Sequence, residues 1–220
     1  MKYYLFDIDG TLLRITGVGG GSLTRAFKEI TGKDNAFEGI RFGGMLDDEI
    51  LGLAAQNALG RALSSDEREQ IRRLYIKKLK DKVYEPGSPV DLCPNVRNIL
   101  ESLKKRGHAM AILTGNWHQG AKTKIGPFKI QHYFDFISGS EDAETRSKLV
   151  EVSIKKFEKI YRTPVLKKDI ILIGDTPRDI QCAKENGIHV WAVATGPYSY
   201  EELKAEGPTR ILQTLEEWRK

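Results

Sequence analysis

Three short apolar runs in this chain stop abruptly at polar residues, and each is followed by a helical pattern. Lys2 to Ile8 closes on Asp7-Ile8-Asp9-Gly10-Thr11. His108 to Leu113 closes on Thr114-Gly115-Asn116. Asp169 to Ile173 closes on Gly174-Asp175-Thr176-Pro177-Arg178-Asp179. Two more runs, Phe134 to Ser138 and Ile188 to Val193, fit the same rhythm. Strands that are apolar on both sides belong to parallel sheets covered on both faces. Strands alternating with helices predict an α/β fold. In an open parallel sheet the ligand crevice lies outside the carboxyl ends of the strands. The three polar ends, far apart in sequence, are therefore expected to converge.

The rhythm breaks between residues 16 and 85. Gly17, Gly19, Gly20 and Gly21 read as a flexible connection. Ser22 reads as the cap of a helix carrying Leu23, Ala26, Phe27 and Ile30, which Gly32 ends. A second helix is expected from about Asp47. A third is expected from Ser64-x-x-Glu67, a capping-box pattern, to about Val83. No strand pattern lies in this block. It reads as a helical insert of residues 16–85 in a core made of 1–15 and 86–220. In the core, Asn95 is expected to cap a helix that Gly107 stops. Further helices are expected over 147–161 and 179–186, and Leu212 to Trp218 is expected to finish the cover.

The converging residues carry a definite chemistry. Asp7 and Asp9 are two apart, so on an extended segment they point the same way. Carboxylates sharing a pocket repel unless something neutralises them. Asp175 and Asp179 add two more. An all-oxygen acidic cluster suits a hard divalent cation such as Mg²⁺. Thr114, Gly115 and Asn116 offer a hydroxyl and backbone N–H groups at a helix start, which suits an anion. Carboxylates, a divalent cation and an anion cradle together point to phosphoryl chemistry. Taken singly, each piece has a plainer explanation: Asp-x-Asp-Gly-Thr as a turn, Asp175 as a helix cap. It is their joint placement that points to a site.

Charge adds little. The chain has 35 Lys+Arg against 30 Asp+Glu. Residues 16–85 hold 12 basic and 11 acidic residues, so neither part is strongly basic. The densest basic run, Arg72 to Lys82, has apolar residues at helical spacing and reads as a solvated helix face rather than a nucleic-acid surface. Cys93 and Cys182 are isolated, which suits a reducing compartment. The four histidines lack metal-ligand spacing. The N-terminus lacks a signal-peptide pattern, and there is no stretch of about 18 apolar residues. A cytoplasmic enzyme acting on a small phosphorylated metabolite is the expectation, and the oligomeric state is not legible.

Phe6-Asp7-Ile8-Asp9-Gly10-Thr11-Leu12-Leu13, the Thr114 after an apolar run, and Ile173-Gly174-Asp175-Thr176-Pro177-Arg178-Asp179 resemble the motifs of the haloacid dehalogenase-like hydrolase superfamily. Within it, the chain resembles the phosphoglycolate phosphatase-like members with a helical cap. The resemblance implies a Rossmann-like core with an inserted α-helical cap. It implies that Asp7 is the nucleophile and that Asp9 is the acid and base. Mg²⁺ would be held by Asp7, Asp9 (through its backbone carbonyl) and Asp175, with Asp179 as a water-mediated ligand or brace. Thr114 and Gly115 would hold the phosphoryl oxygens. Gly10 and Thr11 would let the backbone pass close to the phosphate. Arg41 and Gly44 fall where the family's substrate-contacting loop lies.

The chain departs from the family at the third motif, where a Lys followed by a Pro-rich stretch is usual. Here the segment is Ser138-Gly139-Ser140-Glu141-Asp142-Ala143-Glu144-Thr145-Arg146-Ser147-Lys148. Arg146 and Lys148 compete for the basic role. Arg146 is preferred as the one nearer the sheet end, and Lys122 and Lys124 are weaker candidates. Asp9 separates the chain from the family's dehalogenases, which lack that residue. A sugar phosphomutase, a phosphatase of nucleic-acid ends and a non-catalytic binding protein on the same scaffold stay open. Cap movement is expected about hinges near 14–18 and 84–88.

Overall fold

Tyr3 to Phe6 form β1, and all four side chains are buried. Alternation along the strand sends Tyr4 and Phe6 into one apolar layer and Tyr3 and Leu5 into the other. The structure, a computed structural model, describes residues 1–15 and 17–218. β2 (Leu13–Arg14) leads to three helices: α1 (Val18–Thr31), α2 (Asp47–Leu59) and α3 (Ser65–Tyr84). β3 (Asp91–Leu92), α4 (Val96–Lys105), β4 (Ala109–Leu113), α5 (His118–Ile125) and β5 (Ile137–Ser138) follow. The chain continues through α6 (Arg146–Tyr161), β6 (Ile170–Gly174), α7 (Pro177–Asn186), β7 (His189–Val193), α8 (Tyr200–Ala205) and β8 (Arg210–Leu212).

Six strands make one sheet in the order β5-β4-β1-β6-β7-β8, with every pair parallel. This is the expected Rossmann-like α/β architecture. β1 lies between β4 and β6, and Phe6 sits opposite both Ile112 and Ile173. The residues just beyond these three strands therefore emerge side by side. Trp218 closes one face, its ring near those of Tyr4, Phe6 and Trp191.

α1 packs along α3, and α3 packs against α5 of the sheet layer. The Ser64–Glu67 capping box forms: Glu67 N donates to Ser64 Oγ at 3.1 Å, and Ser64 N donates to Glu67 Oε2 at 2.8 Å. β2 and β3 pair antiparallel, Leu13 opposite Leu92 and Arg14 opposite Asp91, so the chain enters and leaves the helical segment through one small ribbon. Two-residue strands are too short to show a period, which is why the sequence pattern does not reveal them. The expected insert begins at Thr16, which lies outside the described residues.

One expected helix start and one expected cap differ. α1 begins at Val18, not after Ser22, and Gly19, Gly20 and Gly21 are helical. The bare backbone serves close approach: a Cβ on Gly20 would stand 2.7 Å from the Phe42 ring, and one on Gly19 would stand 3.2 Å from Lys124 Nζ. Ser22 is buried inside the helix, and its hydroxyl finds no hydrogen-bond partner among the described residues. Asn95 does occupy the cap position of α4, but in the left-handed conformation (φ 66°). Its amide donates instead to the Leu215 carbonyl at 3.1 Å, tying the C-terminal segment down.

Candidate active site

Asp7 leaves the end of β1, and its backbone N–H still donates to Ile173 O at 2.9 Å, so the sheet itself sets its position. Asp175 follows β6, and Thr114 follows β4. All three are buried. Oxygens of Asp7, Asp175 and Asp179 lie within 4.8 Å of one another. Thr11 Oγ1 donates to Asp175 Oδ1 at 3.0 Å. The other oxygen, Asp175 Oδ2, is buried with no hydrogen-bond partner among the described residues. A buried carboxylate oxygen left unpaired is costly, and a cation is the partner that such an oxygen fits. The donors here are all carboxylates, which matches a hard divalent ion rather than a soft one.

Asp175 does not cap α7. That role falls to Thr176, whose Oγ1 accepts from Asp179 N while Asp179 Oδ2 accepts from Thr176 N and Oγ1 at 3.1 and 2.6 Å. Thr176 thereby frees Asp175 for the site and fixes Asp179. Asp179 Oδ1 accepts from Arg146 Nε at 3.0 Å and from Nη2 at 2.5 Å. Both Asp179 oxygens are thus engaged by hydrogen bonds within the chain.

Arg146 opens α6 and is buried, its Nη2 3.1 Å from Asp7 Oδ2. Burial opposes its charge, but Asp179 and Asp7 outweigh that and raise its pKa. The same burial pushes Asp7 up to about 6, against the lowering pull of Arg146. Asp175 is raised well above the ordinary carboxylate range by burial first and then by Asp7 and Asp179. Lys148 faces solvent two residues further on and pairs with Glu144 at 2.9 Å. Of the two basic candidates, the structure brings only Arg146 to the carboxylates.

Above the sheet end is a cavity of about 540 Å³. Asp7, Asp9, Gly10, Thr114, Gly115, Asn116, Arg146 and Asp175 line its floor. Phe42, Gly44, Met45, Ile50 and Tyr75 come to it from the helical segment. Gly44 has its carbonyl 3.5 Å from Arg146 Nη1. Arg41 is exposed and is not among the described residues that line the cavity.

Thr195 and Gly196, beyond β7, complete the floor and were not signalled by the sequence, because nothing charged marks that strand end. Thr195 Oγ1 donates to Gly10 O at 2.5 Å. A Cβ on Gly196 would stand only 1.7 Å from Asp175 Oδ2, and one on Gly10 (φ +79°) 2.2 Å from it. The acidic cluster is packed between two glycines for this reason.

Asp9 is the most exposed carboxylate of the set. Lys124 Nζ donates to its two oxygens at 2.8 and 2.7 Å, and Asn116 Nδ2 donates to its Oδ2 at 2.7 Å. Asn116 Nδ2 also donates to Thr114 Oγ1 at 2.7 Å. Asp47, the first residue of α2, reaches the same wall: its carboxylate accepts from Trp117 N at 2.8 Å and its own N–H donates to Gly115 O at 2.7 Å. Burial pushes Asp47 up to about 7, and Lys124 pulls in the opposite direction.

A parallel sheet with buried carboxylates, a hydroxyl and an arginine at one end, beside a cavity that helices line, defines an α/β enzyme. The chain belongs to the haloacid dehalogenase-like hydrolases, whose family model matches residues 4–193. It is 26% identical over 212 residues to a protein of Caldanaerobacter subterraneus provisionally named a pyrophosphatase, covering 96% of this chain and 90% of that one. It is 25% identical over 227 residues to a phosphoglycolate phosphatase of Vibrio parahaemolyticus, covering 99% and 94%. The fold is shared with the crystal structure of CbbY from Rhodobacter sphaeroides in complex with phosphate: TM-score 0.77, 15% identity, 100% and 96% coverage.

Proposed function

We propose that this protein is a Mg²⁺-dependent phosphatase of small phosphomonoesters that works through an aspartyl-phosphate. The observation that carries the reading is the partnerless Asp175 Oδ2 beside buried Asp7, with Arg146 behind them and Asp9 on the cavity side. Relatives named as phosphatases support it. Asp7, Asp175 and the Asp9 carbonyl would hold the ion, which when bound neutralises the carboxylates and the phosphoryl oxygens.

In the first step an Asp7 oxygen attacks phosphorus, and the ester P–O bond breaks. Asp9 passes a proton to the departing oxygen, which leaves as an alcohol. In the second step the Asp9 carboxylate takes a proton from water. The water oxygen attacks phosphorus, the P–O bond to Asp7 breaks, and inorganic phosphate leaves. Thr114 and the Gly115 backbone orient the phosphoryl oxygens, while Arg146 holds Asp7 in line. The segment of residues 16–85 serves as the cap over this chemistry and moves to admit substrate.

A phosphate-release screen over sugar phosphates, phosphoglycolate, nucleotides and oligonucleotide ends, with Mg²⁺ or EDTA, tests the proposal. Mg²⁺-dependent release by the wild type that is abolished in Asp7→Asn is expected. Near-normal turnover by Asp7→Asn would overturn the nucleophile assignment.

A further inference from the structure

Lys124 is nearly fully buried in the last turn of α5, although a lysine on a short helix normally faces solvent. An ammonium has three protons to donate. Here three acceptors take them: Asp9 Oδ1 at 2.8 Å, Asp9 Oδ2 at 2.7 Å and Asn116 Oδ1 at 2.6 Å. None remains for a substrate. Asn116 in turn donates to Asp9 Oδ2 and to Thr114 Oγ1, so the acid, the lysine and the phosphate-side hydroxyl form one network. Gly19, from the helical segment, lies close to the ammonium: a Cβ there would stand 3.2 Å from Lys124 Nζ. Removing a buried partner from such a network leaves the other charge uncompensated and free to turn.

We propose that Lys124 is a positioning residue that, with Asn116, aims the Asp9 carboxyl at the leaving-group oxygen. This rests on the phosphatase reading above. The step it serves is the transfer of the Asp9 proton to that oxygen as the ester P–O bond breaks. An ester whose leaving group departs as a stable anion needs little of that proton, whereas an alkyl ester needs all of it. General acid assistance is worth about 10²–10⁴-fold, so in kcat/KM, which covers the steps up to departure of the alcohol, misaiming Asp9 should be felt only where the proton is needed; the hydrolysis that follows is common to both esters.

The experiment compares wild type, Lys124→Met and Lys124→Arg with Mg²⁺ on p-nitrophenyl phosphate and on an alkyl phosphate, each variant first checked by thermal melting. The expected result for Lys124→Met is a kcat/KM lower by about 100-fold on the alkyl ester and by less than about tenfold on p-nitrophenyl phosphate. Lys124→Arg keeps the charge but not the three-point geometry, and should fall between. It carries the same comparison if Lys124→Met does not fold. Equal losses of kcat/KM on both esters, or no loss on either, would each overturn the proposal. A wild type inactive on both esters would instead overturn the phosphatase reading, and the role of Lys124 with it.

Discussion

Arg146 Nη2 stands 3.1 Å from Asp7 Oδ2 while the same guanidinium holds Asp179 Oδ1 through two N–H groups. One cation thus serves both a carboxylate proposed to react and one that braces α7. Breaking a buried ion pair by removing one partner costs about 3–5 kcal/mol. Arg146→Met should therefore lower unfolding stability by roughly that amount in a urea titration, as well as removing activity. Arg146→Lys should recover part of the stability but little activity, because a point charge cannot make the forked contact.

Lys148 provides the contrast. It is exposed, and its partner Glu144 is more so. Lys148→Ala should leave the melting temperature and phosphate release at wild-type levels. A large loss of turnover would mean that the third-motif role had been given to the wrong residue.

The buried carboxyls make the metal-free protein sensitive to pH in a definite direction. Asp47 is raised to about 7 from an ordinary value near 3.8, chiefly by burial. A carboxyl whose folded pKa is raised binds its proton more tightly when folded. Its stabilising contribution is complete below its unfolded value and is lost as pH rises through its folded value. In EDTA, the melting temperature should fall between about pH 4 and pH 7. Asp47→Asn, which keeps an acceptor for Trp117 N–H, should flatten that decline.

Gly196 lies where no side chain fits beside Asp175. Gly196→Ala should displace the Asp175 carboxylate while leaving the sheet intact. Titration calorimetry with Mg²⁺ should register a loss of affinity of about 10–100-fold, the range seen when residues supporting a metal ligand are altered. An unchanged affinity would place the ion away from Asp175.

Much of this architecture could be read in advance because chemistry and periodicity coincide at three places. Asp7, Thr114 and Asp175 each follow a buried run, and the sheet order brings those runs together. What escaped the sequence was set by tertiary contact. The glycines of α1 looked like a linker because their helical packing partners, Phe42 and Lys124, lie elsewhere in the chain. Lys124 was only a weak candidate because a helix face offers no sign that another segment will bury it. Asp47 reads as an ordinary acid in a helix's first turn, yet its side chain caps the start of α5. The motifs named the groups proposed to react, while their supports came from residues whose types carry no signal alone.

The ribbon of β2 and β3 has one more consequence. Arg14 and Asp91 are cross-strand neighbours, so everything between them is topologically the loop of a single hairpin. Lengthening such a loop costs only about 0.6 kcal/mol per doubling. The roof can therefore be exchanged, enlarged or remade while the sheet keeps its register, and lineages sharing this floor are free to diversify overhead.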